Sequence, residues 1–435
     1  MKPALVMAAL GAACGAPTSY LGAETPSSCG GNDPERCAGW LAERDLDAGE
    51  LDVYNDPALR AYVQGIADRL ARGARVARPP RVVISDHDGT YAPFGDRIVI
   101  GRITIEKLGS EAELAAIVAH ELVHVEGHHA TVSLFGPEAD STWLAARRDA
   151  EAVADERAVA LLERAGYAPA AMPRALIAEL EADDDEHAPR DERITRAAAL
   201  AANRKTGFEG RAELMQHVEH MIVGRDTRLG VAVGSAWVVA NLGIALEVPD
   251  RDLARSQGDS LVLRHGRSTL DAYAIGAPWA KELATQLDQR ATTETALGTV
   301  TVGVARSHAD HDETALQRLE RAVRATLPQP TPGTWVVILE RCAPTAPGAP
   351  CGGLVLELAV HGDPIARARW LGGLRAATQR ELAAAEPRHI TIAHAPRAAS
   401  IRELVATCPD PTAALTLDNA DRVIAAGEPF KCTNR

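Results

Sequence analysis

The sequence predicts an α+β protein: a mostly helical domain with a small edge-exposed β-sheet, followed by smaller α/β accessory regions. Three observations predict it. Between residues 56 and 202 apolar residues recur at helical spacing, interrupted by two short Val/Ile-rich runs. From about residue 211 the texture changes to glycine-punctuated, strand-like runs. At 435 residues the chain is also too long for one average domain. The composition shifts divide it into a leader and tether (1–34), a helical domain (35–210), a β-rich accessory region (211–306) and a C-terminal α/β region (307–435).

The elements follow in order. Asp56-Pro57 supplies a helix cap and a first-turn proline, Leu59, Val63, Ile66 and Leu70 continue at helical spacing, and Gly73 is a stop signal. Residues 81–85 and 97–105 read as strands separated by turn residues. Ser110 and Glu113 form a capping box, and Leu114, Ile117, Val118, Leu122 and Val125 give the next helix an apolar stripe to about residue 130. Further helices are expected at 145–165, with Gly166 as stop, and across 170–202 with a break at the acidic residues 183–185. Residues 229–246 contain no charge, but glycines and Asn241 interrupt them and valines favour extended chain, so they read as two buried strands rather than a membrane span. Helices near 313–326 and 365–385 and strands near 334–340 and 354–360 complete the C-terminal region.

Charge and cysteines bound the function. A net charge of −13 argues against nucleic acid as a partner, because phosphate contacts need clustered Lys and Arg. Lys2, the apolar residues 4–10 and Gly11-Ala12-Ala13-Cys14 read as an export signal of lipoprotein type. Cys14 is then the lipidated first residue of a membrane-tethered, periplasmic protein; the rival is a plain secretory signal cut near Ala13 or Ala23. The other cysteines, Cys29, Cys37, Cys342, Cys351, Cys408 and Cys432, fall into three pairs close in sequence without metal-type spacing. They are expected as disulfides 29–37, 342–351 and 408–432.

The chemistry lies in the capped helix, at His120-Glu121-Leu122-Val123-His124. Residues four apart share a helix face, so both imidazoles can reach one ion, while Glu121 stands beside the first of them. Two imidazoles and a carboxylate suit a single Zn2+ that keeps one position for water, with Glu121 as general base. Glu151 is 27 residues after His124 (151 − 124), room enough for a loop and a returning helix, and is the candidate third ligand. Asp155, one turn further, is placed to orient a ligand histidine.

These stretches resemble the HtpX-like and CAAX-prenyl-protease-like zinc metallopeptidases, of the gluzincin class, and among them the exported BepA-like branch. The resemblance is carried by the helix around His120-Glu121-Leu122-Val123-His124, by Glu151-Ala152-Val153-Ala154-Asp155 and by Ala165-Gly166-Tyr167-Ala168-Pro169. It implies His120, His124 and Glu151 as ligands, Glu121 as base and Asp155 as a supporting acid. His187-Ala188-Pro189 with Arg193-Ile194 resembles a further family segment, with Ala188 in place of a proline; it makes His187 and Arg193 candidates for substrate or transition-state contact. The resemblance also implies polypeptide substrates, a role in removing unfolded or misassembled envelope proteins, and a cleft rim formed by residues 97–105. About residues 387–431 faintly resemble a LysM-like tail, which would imply peptidoglycan contact; a packing role is the alternative. A chaperone or assembly factor that binds proteins with little proteolysis is the rival to a peptidase. His128 and His129 are expected to cap the end of the metal helix.

Overall fold

The computed structural model describes residues 53–76, 79–86, 89–92, 97–127, 129, 141–180, 188–249, 252–257, 260–305, 334–342, 351–359 and 363–434. The expected leader with Cys14, the cysteines 29 and 37, His128, residues 183–185, His187 and the helix expected at 313–326 lie outside these residues.

Helix α1 (Pro57–Ala74) begins as Asp56-Pro57 predicts, the Asp56 carboxylate accepting from the Ala58 and Leu59 amides. It ends later than Gly73, at Arg75, whose φ of 62° is left-handed. Strands β1 (Arg81–Ser85), β2 (Thr90–Tyr91) and β3 (Arg97–Gly101) form a sheet in the order β1-β3-β2, with β1 parallel and β2 antiparallel to β3. The expected cleft rim is therefore corrected. β3 is the inner strand and buried throughout, and the edge strands are β1 and β2. The expected strand 97–105 also stops at Gly101, because Arg102 begins helix α2 (Arg102–Lys107). The fully buried Arg102 guanidinium pairs with Asp86 at 2.6 Å and donates to the Ile222 and Gly224 carbonyls. That network satisfies a charge no strand position could hold.

Helix α3 (Glu111–Glu126) is the centre of the domain. Rather than one stripe, every residue from Glu111 to Val123 is buried. Ala112, Ala115, Ala116 and Ala119 fill positions between the larger apolar residues, so neighbours close on all sides. Half of the predicted capping box forms. Ser110 accepts from the Glu113 amide at 3.2 Å, but the Glu113 carboxylate accepts from the Gly109 amide at 2.7 Å instead of returning to Ser110. Around α3 stand α4 (Ser141–Arg164), α5 (Ala171–Glu179), α6 (Arg190–Ala202) and α7 (Arg211–Val218). The last replaces expected strand: Leu214, Met215 and Val218 turn inward at helical spacing.

Strands β4 (Val231–Val233), β5 (Ala236–Val239) and β6 (Ile244–Glu247) occupy the uncharged stretch, three strands in place of the two expected. No helix among the described residues is long and apolar enough to cross a membrane. Next come β7 (Leu253–Gln257), β8 (Ser260–His265), β9 (Ser268–Gly276), α8 (Ala277–Thr285), β10 (Leu287–Thr295), β11 (Gly298–Ala305), β12 (Trp335–Cys342) and β13 (Cys351–Leu358). These strands form one antiparallel sheet in the order β10-β11-β12-β13-β9-β8-β7. Ala280 and Leu283 of α8 cover one face, and Trp237 and Trp370 pack on the other. Cys342 and Cys351 are directly paired residues of β12 and β13. The single helix expected at 365–385 is broken into α9 (Pro364–Gly372), β14 (Leu374–Ala376) and α10 (Gln379–Ala384), since β14 pairs with β6.

The last region contains β15 (Ile390–His394), β16 (Ala399–Ser400), α11 (Ile401–Val405), α12 (Pro411–Ala414), β17 (Val423–Ile424) and β18 (Pro429–Thr433). β15 pairs with β18 and β16 with β17, both antiparallel, and a disulfide joins Cys408 to Cys432. The region packs onto the turn that leads into α3, and Ile390 and Leu417 join the core of the helical domain. Fully buried Lys431 donates from Nζ to the carbonyls of Glu106 (2.7 Å), Leu108 (2.5 Å) and Leu417 (3.2 Å). Arg211 bridges the Gly109 carbonyl to Asp418, and Arg422 reaches Glu113. The polar side chains of this tail thus serve packing.

Burial, against the pull of Asp418, brings the Lys431 ammonium down to about 8. Replacing Lys431 with Met leaves three carbonyls without their donor and is expected to destabilise the protein by about 2–4 kcal/mol, measured by denaturant unfolding. With the folded pKa below the unfolded one, the unfolded chain binds more protons between them. The wild type therefore gains stability relative to Lys431→Met as pH rises from about 8 toward the ordinary lysine value.

Candidate metal centre

α3 presents His120 and His124 one turn apart, and α4, packed beside it, presents Glu151 and Asp155 at the same spacing. The Nε2 atoms of the two histidines lie 3.0 Å apart. One oxygen of Glu151 is 3.1 Å from Nε2 of His120 and the other 3.2 Å from Nε2 of His124. His120, His124 and Glu151 thus offer three ligand atoms within 4.8 Å of one another. Behind His120, Asp155 Oδ1 stands 3.0 Å from Nδ1, close but not aligned as a hydrogen bond. Arg193 of α6 is 3% exposed and donates to both oxygens of Asp155 at 2.9 and 2.8 Å; its Nη2 is also 3.5 Å from Glu151. Arg196 reaches Asp155 at 3.3 Å.

The electrostatics suit a cation. Burial opposes ionisation of Glu151, yet its contacts with His120 and His124 hold the carboxyl well below the usual range. Asp155 is held down likewise, by His120 and Arg193 against burial. Burial disfavours a charged His120, but Asp155 and Glu151 prevail and raise its pKa well above the ordinary value. A divalent ion at Nε2 would meet the Glu151 carboxylate with more charge than a proton there. Two imidazole nitrogens and a carboxylate are a donor set that fits zinc. Glu121, 6% exposed and next in sequence to His120, is pushed up to about 8, first by burial and then by Glu179 and Glu151. Positive charge at the donor point would pull it back toward the ionised form.

Part of the chain is similar to peptidase family M48. Residues 57–146 match the model of peptidase family M48, a match that spans both histidines and Glu121. The beta-barrel assembly-enhancing protease of Yersinia pestis is 31% identical over 100 residues, 22% of this chain and 20% of that protein. The protein of the same name from Escherichia coli K12 is 23% identical over 205 residues, 39% of this chain and 42% of that protein. The chain thus spans between about a fifth and two fifths of these relatives.

Six of the seven residues singled out from the sequence come together here: His120, Glu121, His124, Glu151, Asp155 and Arg193. His187 lies outside the described residues. Arg193 contacts carboxylates of the centre, which gives it a structural partner in Asp155. Two neighbours escaped the sequence reading. Glu179, at the C-terminal end of α5, lies in the field of the same charges: burial raises its pKa while His120 and Arg193 lower it. His129 is not a helix cap; α3 ends at Glu126, and Nδ1 of His129 lies 2.8 Å from Nδ1 of His124. Nothing in its spacing announced this, because the contact depends on how the chain turns after the helix. A cleft of about 380 Å³ between α5 and the C-terminal region is a charged packing seam: its Arg174 and Arg422 both pair with Glu113.

Removing the Arg193 cation while keeping a long side chain, as in Arg193→Met, takes from Asp155 its bidentate partner and from Glu151 a nearby cation. It is expected to cost about 3–5 kcal/mol in denaturant unfolding, and Arg193→Lys less than that.

Proposed function

We propose that this chain is a zinc-dependent endopeptidase that hydrolyses peptide bonds of unfolded or misassembled proteins in the cell envelope. The observation that carries the reading is the convergence of His120, His124 and Glu151 on one point, with Glu121 beside it. His120 and His124 would hold zinc through Nε2 and Glu151 through its carboxylate. When bound, the metal supplies Lewis-acid polarisation of the scissile carbonyl and acidifies water. Glu121 takes the proton of the attacking water and returns it to the leaving amine, a role its buried place beside His120 suits. Asp155, 3.0 Å from Nδ1 of His120, would favour the tautomer that leaves Nε2 free for the metal, and Arg193 keeps Asp155 ionised and in place.

The envelope setting is supported by the leader, with Cys14 as membrane tether, and by the Cys408–Cys432 disulfide, which belongs to an oxidising compartment. The relatives' printed name, beta-barrel assembly-enhancing protease, points the same way.

Purified protein is expected to contain one zinc per chain and to cleave casein, with cleavage abolished by a chelator and restored by zinc. Glu121→Gln is expected to keep the metal while losing at least about 100-fold in rate. Full zinc content without cleavage in the wild type would favour a protein-binding role or a latent enzyme, and correctly folded protein that takes up no zinc would end the peptidase reading.

A further inference from the structure

The two candidate ligand histidines differ in what stands behind them. His120 has Asp155 at Nδ1. His124, with Nε2 turned to the donor point, has at Nδ1, among the described residues, the ring of His129, nitrogen to nitrogen at 2.8 Å and nearly edge-on, 77° between planes. Two imidazole nitrogens at that distance share one proton, so one donates and the other accepts. If Nε2 of His124 is to give its lone pair to a metal, the proton must sit on its Nδ1. His129 Nδ1 is then the acceptor, and its own proton lies on Nε2.

A second, independent observation concerns Gly127, the residue that closes α3. Its backbone, φ −82° and ψ −5°, is right-handed and open to any amino acid. Glycine is required there for room instead. A Cβ on Gly127 would lie 2.3 Å from Nε2, 2.7 Å from Cδ2 and 2.9 Å from Cε1 of the His129 ring. The far side of the ring thus rests in the space left by the missing side chain, while the near side meets His124. Any larger residue at 127 pushes the ring off its seat.

We propose that His129, seated in the hollow at Gly127, is the positioning residue of His124: its Nδ1 accepts the His124 Nδ1 proton and so fixes the tautomer and ring orientation for zinc. The inference rests on the zinc reading above. His129 touches neither metal nor substrate in this role; it acts through His124, as Asp155 acts through His120.

The test is zinc affinity of the full chain, by competition with a chelating indicator, beside thermal melting of the metal-free forms. His129→Phe keeps a ring but no acceptor and is expected to weaken zinc binding by about 10- to 100-fold. His129→Gln, which retains an acceptor oxygen, is expected to recover part of that loss. Gly127→Ala is expected to weaken zinc binding without lowering the melting temperature, because alanine favours the helix end it joins. Adding Gly127→Ala to His129→Phe should then cost nothing further, since the displaced contact is already gone. Affinity within twofold of wild type in His129→Phe, or the same loss in the Gln and Phe variants, would overturn the proposal. Should His129→Phe not fold, Gly127→Ala decides, and unchanged affinity there overturns it. A wild-type chain that binds no zinc refutes the zinc reading itself, and this inference with it.

Discussion

The structure depends on carboxylates kept ionised out of water. Glu151 and Asp155 are 8% and 0% exposed, places where an isolated charge would be expelled or neutralised. They persist because α3 offers the histidines and α6 offers Arg193, whose planar guanidinium meets both oxygens of Asp155. Three helices distant in sequence are thereby fixed in register, since sliding any one would strand a charge. The same solution recurs at the other end of α3. Glu113, 1% exposed, accepts from the Gly109 amide, Arg174 and Arg422. The central helix is pinned at both ends by buried carboxylates, and only one end is turned to chemistry.

That arrangement explains why the C-terminal region is part of the frame. A helix buried on every side has no solvent face to absorb displacement, so its position is set by whatever holds the turn before it. Lys431, Arg211 and Arg422 hold that turn, two of them through backbone carbonyls of residues 106–109. The disulfide at Cys432 lies next to Lys431 in β18, and ties the strand carrying this contact to Cys408. A tail whose faint LysM-like resemblance left glycan contact and packing as alternatives is in physical terms a brace on the metal helix.

Much of the candidate site was legible because helical periodicity is local. Spacing alone puts His120 over His124 and Glu151 over Asp155. The caps at Asp56 and Ser110 were legible for the same reason, each contact spanning two or three residues. What escaped was decided by partners far along the chain. Residues 102–105 look like strand until Arg102 finds the carbonyls of Ile222 and Gly224, 120 and 122 residues away. Residues 374–376 look helical until β6 claims them. Glu113 was expected to turn back to Ser110, but two arginines from elsewhere claim its carboxylate. His129 looked like a cap because its place under His124 depends on a turn that spacing does not encode.

The unequal support of the two histidines has a consequence for the base. Glu121, Glu151 and Asp155 bring three negative charges to the centre, and Arg193 with a divalent cation would bring three positive ones. The balance leaves Glu121 free to ionise, although burial alone raises its pKa. A second carboxylate behind His124, mirroring Asp155, would orient that ring equally well but add a fourth negative charge within reach of Glu121. That charge would raise the pKa further and leave the base protonated for more of its time. A neutral imidazole orients His124 without disturbing the count. On the zinc reading, a histidine rather than an acid at position 129 spares Glu121 a fourth negative charge.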